Sequence, residues 1–195
     1  MKRLLVYLLI FLGLGLTFNI NANNIENFQI EKMSIGGSLL DYFPKKFIDK
    51  KRTSIKIGNK KFKEYNKLYK EKNNKVYDRV VLYFNSNDPK YLIKNISGRK
   101  YFKNNISECY KNQKIIANEV EKLLKNPERI ETGIIKQGRY PNGNSYHKDI
   151  FFYLNNGSMI SIICYDYSKN DTRSKDRLSV RFVTKEFENW FLSKK

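Results

Sequence analysis

The stretch that most constrains the fold runs Asp149-Ile-Phe-Phe-Tyr-Leu, Asn155-Asn-Gly-Ser, Met159-Ile-Ser-Ile-Ile-Cys-Tyr-Asp-Tyr. Two β-rich apolar runs flank Asn156-Gly157, the strongest short-range signal for a hairpin. A two-residue turn would pair Asn155 with Ser158. Side chains alternate across a strand, so Phe151 and Tyr153 would then share a face with Ile160, Ile162 and Cys164.

That hairpin needs a cover, and residues 105–126 supply the best helical pattern in the chain. Ile106, Cys109, Tyr110, Gln113, Ile116, Ala117, Val120, Leu123 and Leu124 recur at the three-four spacing of one helical stripe. Asn105 is a good N-cap with Glu108 three places on, and Pro127 stops the helix. Further strands are read at 76–84 and 90–98, a hairpin around Asn85-Ser-Asn-Asp-Pro89, and at 177–183, where Leu178, Val180 and Phe182 alternate. Residues 53–75 are ambiguous: Phe62, Tyr65, Leu68 and Tyr69 have helical spacing, while Ile55 and Ile57 alternate. Asn73-Asn74 marks a turn, and Ile134 to Lys148 reads as a polar loop around Pro141-Asn142-Gly143. Thr184 caps a last helix over 185–193 that presents Phe187, Trp190 and Phe191. The expected fold class is α+β: a two-layer antiparallel sheet of 76–84, 90–98, 149–155, 158–167 and 177–183, covered on one face by the long helix. The last helix is placed at an edge or on the same layer.

The first 22 residues read as an export signal. Lys2 and Arg3 precede an apolar run from Leu4 to Phe18, and Ile20-Asn21-Ala22 fits a cleavage site before Asn23. The run is shorter than the ~20 residues a membrane span needs. No cysteine stands near the cleavage site for lipid attachment. The remaining 173 residues, 23–195, are expected to form a single α+β domain, because no Pro/Gly/Ser-rich linker divides them.

The formal charge is +19, and +17 once Lys2 and Arg3 are removed with the leader. An anionic partner follows from such a surplus: an envelope polymer, a membrane surface or an acidic protein. Composition offers a plainer source, since Lys, Asn, Ile, Tyr and Phe all have AT-rich codons. The cations are spread along the chain, apart from Lys45-Lys46, Lys50-Lys51-Arg52 and Lys60-Lys61. Export separates the chain from cytosolic nucleic acid, which ranks that partner last.

Between Phe28 and Ile48, Ser34-Ile-Gly-Gly makes a break and Ser38 can cap a short helix through Leu39, Leu40, Tyr42 and Phe43. Pro44 stops or kinks it and can start a further turn through Phe47 and Ile48. Gly36-Gly37 lacks the Lys-Ser/Thr and the preceding strand of a phosphate loop. The Met33-Ser-Ile-Gly-x-Ser-Leu-Leu-Asp-Tyr-Phe43 run, with Cys109-Tyr110-Lys111 and Ser161-Ile-Ile-Cys-Tyr-Asp166, resembles small exported proteins of AT-rich bacteria that carry no assigned activity. The likeness covers most of the chain after the leader. It departs at Gly37, where an aspartate is usual, and at Pro44, where a serine is usual; both weaken the expected caps. The resemblance implies fold and location only. The Ile35-Gly-x-Ser entry is also similar to that of small envelope modules of the SmpA/OmlA type.

The chemistry in view is sparse. His147, the sole histidine, and two cysteines match no zinc-site spacing. In an oxidising compartment an even pair of cysteines reads as a structural bridge, here Cys109 to Cys164 at the helix–sheet interface. The alternative is a free cysteine nucleophile working with His147. Asp166, Asp171 and Asp176 offer paired carboxylates, but their spacing matches no calcium loop, and Lys169, Arg173, Lys175 and Arg177 interleave them as in a solvated charged loop. There is no Gly-x-Ser-x-Gly elbow. The 14 tyrosines fall mostly at strand positions, where aromatics are ordinary sheet material. No catalytic, metal or cofactor set is assigned. The first expectation is an exported, non-enzymatic binding or envelope-associated protein with a basic surface. The second is a small extracytoplasmic hydrolase or toxin-like effector using His147 or Asp166.

Overall fold

A computed structural model describes residues 24–57, 60–71, 76–103, 105–124, 127–137, 144–168 and 175–194. The expected leader over 1–22, the Asn73-Asn74 and Pro141-Asn142-Gly143 turns and Asp171 lie outside these residues. The described chain is mixed α+β, with one large antiparallel sheet and three α-helices. The sheet contains β3 (Thr53–Ile57), β4 (Lys60–Glu71), β5 (Arg79–Asn85), β6 (Ile93–Tyr101), β7 (Glu128–Glu131), β8 (Ile135–Lys136), β9 (Tyr146–Tyr153), β10 (Met159–Asp166) and β11 (Arg177–Val183). Their order is β3-β4-β5-β6-β11-β10-β9-β7, with β8 pairing on β9. β1 (Gln29–Ile30) and β2 (Met33–Ser34) form a separate two-stranded ladder. The helices are α1 (Lys45–Lys51), α2 (Ile106–Leu123) and α3 (Lys185–Leu192).

The Asn-Gly hairpin forms one residue out of the expected register. Met159 faces Tyr153 and Ile160 faces Phe152, so it is Ile150 and Phe152, not Phe151 and Tyr153, that share a face with Ile160, Ile162 and Cys164. The turn has three residues instead of two. Gly157 N–H donates to the Leu154 carbonyl (2.8 Å), Leu154 N–H donates to Ser158 (2.9 Å), and Gly157 takes φ +76°. That is a tight turn closed by a left-handed glycine, the next commonest hairpin connection. The Asn156 side chain accepts from Ser158 N–H (2.9 Å) and fixes it.

Residues 53–71 resolve as two strands. The helical spacing of Phe62, Tyr65, Leu68 and Tyr69 is overridden by pairing on both sides of β4, with a register shift between Ser54 and Ile55 that puts extra residues into β4. Part of the expected polar loop is also strand. β8 occupies Ile135–Lys136 and β9 already begins at Tyr146, so His147 sits on a strand.

α2 follows its sequence closely. Asn105 accepts from Glu108 N–H (3.2 Å) and its amide donates back to the Glu108 carboxylate (3.2 Å). The stripe Cys109, Gln113, Ile116, Ala117 and Val120 is buried against β9, β10 and β11. On the same sheet face, beside α2, packs the segment from Ile25 to Leu39. Ile25, Phe28, Ile30, Met33, Ile35 and Leu39 are all buried there, and the Phe28 and Phe182 rings lie 5.5 Å apart. The segment is stitched to the start of β6 by Gly36 N–H to Ile93 and Ile93 N–H to Gly37, both 2.9 Å. Within Met33–Phe43, Met33, Ile35 and Leu39 are thus spent on packing, while Leu40 and Tyr42 stay exposed. Ser38 caps the turn at Leu39–Asp41 through Leu40 N–H, and Pro44 opens α1 with no side-chain cap.

α3 does not join that layer. Its Phe187, Trp190 and Phe191 pack with Ile55, Ile57, Tyr65, Met159 and Val183. Strand alternation places those β4, β10 and β11 residues on the opposite face. Thr184 caps the helix through Phe187 N–H (3.2 Å).

Gln113 is the polar exception in the α2 interface. It is fully buried and its amide donates to the carbonyls of Lys148 and Ile162, both at 2.7 Å. Gln113→Leu keeps the volume and deletes both bonds. The expected result is a loss of ~1–3 kcal/mol in urea unfolding, with little change in helix content by circular dichroism.

Candidate functional site

α3 covers only part of the opposite face. Registers across β5, β6, β11, β10 and β9 fix what the remainder presents. One row reads Arg79, Arg99, Ser179, Ile163 and Asp149; the next reads Tyr101, Arg177, Tyr165 and His147; a third reads Val81, Ser97, Arg181, Ser161 and Phe151. The rows alternate with the buried set Val80, Gly98, Val180 and Ile162 behind them, so one period-2 pattern builds both faces.

Three serines, Ser97, Ser161 and Ser179, lie buried on three adjacent strands, and the Ser97 and Ser179 hydroxyls are hydrogen-bonded at 2.9 Å. Around them stand half-buried arginines. Arg181 pairs with Glu188 of α3 (3.0 Å), marking the rim of the α3 cluster. Arg177 lies over the Tyr165 and Tyr167 rings, 4.6 and 5.0 Å from their centroids. Burial pushes the Tyr165 hydroxyl up in pKa; Arg177, Arg181 and Arg99 pull against that, and the Asp149 charge adds to it.

At the β9 end, His147 Nδ1 and Asp149 Oδ1 are 2.7 Å apart, and the His147 ring lies 6.3 Å from that of Tyr165. His147 therefore has the carboxylate partner that acid–base work needs. Cys164 is not available to it. Cys109 and Cys164 are joined in a disulfide with a Cα–Cα distance of 6.0 Å, both fully buried on the α2 side of the sheet. A buried disulfide accords with an oxidising, extracytoplasmic compartment. Asp166 lies at the end of β10. Burial raises its carboxyl pKa, and the Asp176 charge raises it further. Asp176 in turn accepts from Tyr167 N–H (2.8 Å). Among the described residues no three His, Cys, Asp or Glu side chains gather as a metal set, and no helix is long and apolar enough to cross a membrane.

Arg52 and Lys61, from two of the basic runs, meet elsewhere. α1 packs on β4, and an open groove of about 700 Å³ at that end of the sheet is lined by Arg52, Lys56, Lys61 and Lys63 with Asn66 and Ser86 among others. Lys56 and Lys61 stand directly opposite in the β3–β4 ladder. Among the described residues Asp49 is the single carboxylate in the lining, bridged to Arg52 at 3.5 Å.

The sequence reading named His147 and the lysine runs and missed the arginine–serine rows. The signal was present in Arg177-Leu-Ser-Val-Arg-Phe-Val183, where the alternation that marks Leu178, Val180 and Phe182 as core puts Arg177, Ser179 and Arg181 together on the other side. Comparison with protein-family models, curated proteins and solved structures finds no match for this chain.

Proposed function

We propose that this is an exported, non-enzymatic binding protein that holds an anionic polymer of the cell envelope through its β3–β4 end. In this reading residues 1–22 are the export signal and 23–195 form one domain. The sheet and α2 make its two main layers, and the part of the sheet that α2 covers serves as scaffold. The observation that carries the proposal is the groove: among the described residues four cations, Arg52, Lys56, Lys61 and Lys63, line it against one carboxylate. Lys56 and Lys61 face each other as like charges, an arrangement that costs stability in the free protein. Lysines on the edge strand β3 also keep that edge from pairing with other chains, a role compatible with binding.

Retention on a carboxylate- or phosphate-bearing polymer is expected to fall by roughly tenfold or more as salt rises from ~0.05 to ~0.5 M, where the screening length shrinks below the groove's own dimensions. Lys56→Glu with Lys61→Glu should abolish most of the low-salt retention and leave the melting temperature close to that of the parent. Salt-independent retention, or retention untouched by the double charge reversal, would sink the proposal. Stronger retention on anionic vesicles than on polymer would move the partner to the membrane surface.

The hydrolase reading rests on one specific feature, the His147–Asp149 pair at 2.7 Å. It requires a hydrolytic activity that His147→Ala removes while leaving polymer retention intact.

A further inference from the structure

We infer that the open part of the sheet face opposite α2 is a binding site for a tetrahedral oxyanion, a phosphate or sulfate group, held by Arg99 and Arg177 over the serine floor. This site shares no residue with the β3–β4 groove.

The first ground is register. Arg99 on β6 stands directly opposite Arg79 on one side and Ser179 on the other. Arg177 and Arg181 lie two positions either side of Ser179, so both are diagonal neighbours of Arg99, about 7–8 Å away at the backbone and well within guanidinium reach. Four like charges on adjacent positions of one sheet face repel one another.

The second ground is what compensates them. Glu188 takes Arg181. Asp149, at the β9 end of these rows, is engaged by His147. For Arg99 and Arg177 the described residues provide no ion pair. The Nε–H groups of Arg99, Arg177 and Arg181 are buried with no acceptor. So is the hydroxyl of Ser161, which is fully buried directly opposite Arg181. Buried donors are ordinarily satisfied, and a cluster left without acceptors calls for a partner.

The third ground is the kind of partner. Everything unmet here is a donor or a positive charge, so the ligand brings acceptors and negative charge. A planar carboxylate is satisfied by one guanidinium fork. Donors arriving from two strands and from the floor match a group with oxygens in several directions and more than one charge. The stacked Tyr165 and Tyr167 rings, 5.9 Å apart under Arg177, wall one side of the site and hold that guanidinium in place.

The test is calorimetric and NMR titration of the protein with inorganic phosphate at constant ionic strength. Inorganic sulfate, acetate and a polyphosphate chain are run in parallel. Saturable phosphate binding with sulfate competing and acetate at least tenfold weaker is the expected result. Arg99→Gln and Arg177→Gln should each weaken phosphate at least tenfold, and Arg99→Lys should weaken it too, because the fork is lost. Lys56→Glu with Lys61→Glu should leave it unchanged, which separates this site from the groove. Polyphosphate binding tenfold tighter than inorganic phosphate, still sensitive to Arg99→Gln, would support the site and identify a polymer-borne group as its occupant; equal affinity would support it as a site for the small ion. Because the arginines repel one another in the empty site, Arg99→Gln should raise the phosphate-free melting temperature by about 1–3 °C. A purely structural arginine would lower it. The inference is overturned if phosphate fails to saturate, if acetate matches it, or if Arg99→Gln and Arg177→Gln both bind as the parent does.

Discussion

Replacing Cys109 and Cys164 together by alanine is expected to lower the melting temperature by about 10 °C or more while the far-ultraviolet spectrum stays close to the parent's. The bridge closes a ring across 55 positions, from the first turn of α2 to the end of β10. Confining the unfolded chain in a loop of that size is worth roughly 4 kcal/mol in the chain-entropy account. For a chain of this length each kcal/mol moves the midpoint by about 2–4 °C. Both cysteines are fully buried in the core, with Leu178 directly opposite Cys164, so the alanine pair also leaves a small void that adds to the loss. α2 keeps its cap and its apolar stripe, which is why secondary structure survives. Burial carries a kinetic corollary: dithiothreitol should leave the native bridge intact for hours and reduce it promptly once urea unfolds the chain. A midpoint shift under ~2 °C would show that the bridge adds little to a fold already fixed by its core.

That bridge was legible because both cysteines lie in the two elements with the cleanest periodicity. α2 could be read because its cap, stripe and stop all agree, and agreement across levels is what makes a segment decodable. The Asn-Gly hairpin shows the limit of the same method. Asn156-Gly157 announces a turn but does not set its length, and the glycine serves equally as the left-handed third residue of a longer loop. One residue then moves every β9 side chain to the other face, turning Phe151 and Tyr153 outward. The converse case lies near the start of the described chain. β1 and β2 are joined by a two-residue turn whose central residues, Glu31 and Lys32, take φ of 57° and 67°. Neither residue type signals such a turn, so the hairpin is imposed by the burial of Ile30 and Met33 on the core and not by local preference. β4 was obscured for a similar reason: the extra residues at its register shift break the period-2 pattern.

The candidate sites divide along the same line. His147 stood out as the sole histidine, and its partner Asp149 is two residues away on the same strand, so alternation places both on one face once the strand is recognised. The lysine runs were visible as charge but not as a place, because it takes the α1–β4 contact to bring 50–52 beside 60–63. The arginine–serine rows need the register of four strands from distant parts of the chain, β5, β6, β11 and β10. The Arg177–Val183 window shows one strand's share of them, but no local window brings Arg99 and Ser161 beside it.

A close approach of ring to backbone in β6 supports a prediction of comparable size at Gly98. This residue sits mid-strand in β6 with φ outside the left-handed region, so the backbone alone would accept alanine, and alanine ordinarily suits a strand better than glycine by ~0.5–1 kcal/mol. The space does not accept it. A Cβ there would meet Cδ1, Cε1 and Cζ of Tyr77 at 2.7 Å each. Tyr77 is fully enclosed by the core beneath the sheet, so its ring cannot swing aside into solvent. Gly98→Ala is therefore expected to cost ~2–3 kcal/mol through overpacking, and Gly98→Val more. The cause is separable by a double-mutant cycle read in urea. Tyr77→Leu alone opens a cavity and costs about 2–4 kcal/mol. In that background Gly98→Ala should become neutral or stabilising, because the methyl enters the vacated volume and the strand regains its preference. The coupling between the two sites should then exceed ~2 kcal/mol, far above the few tenths seen for independent positions. If Gly98→Ala costs the same with leucine at 77 as with tyrosine, the glycine is there for the backbone and not for the ring.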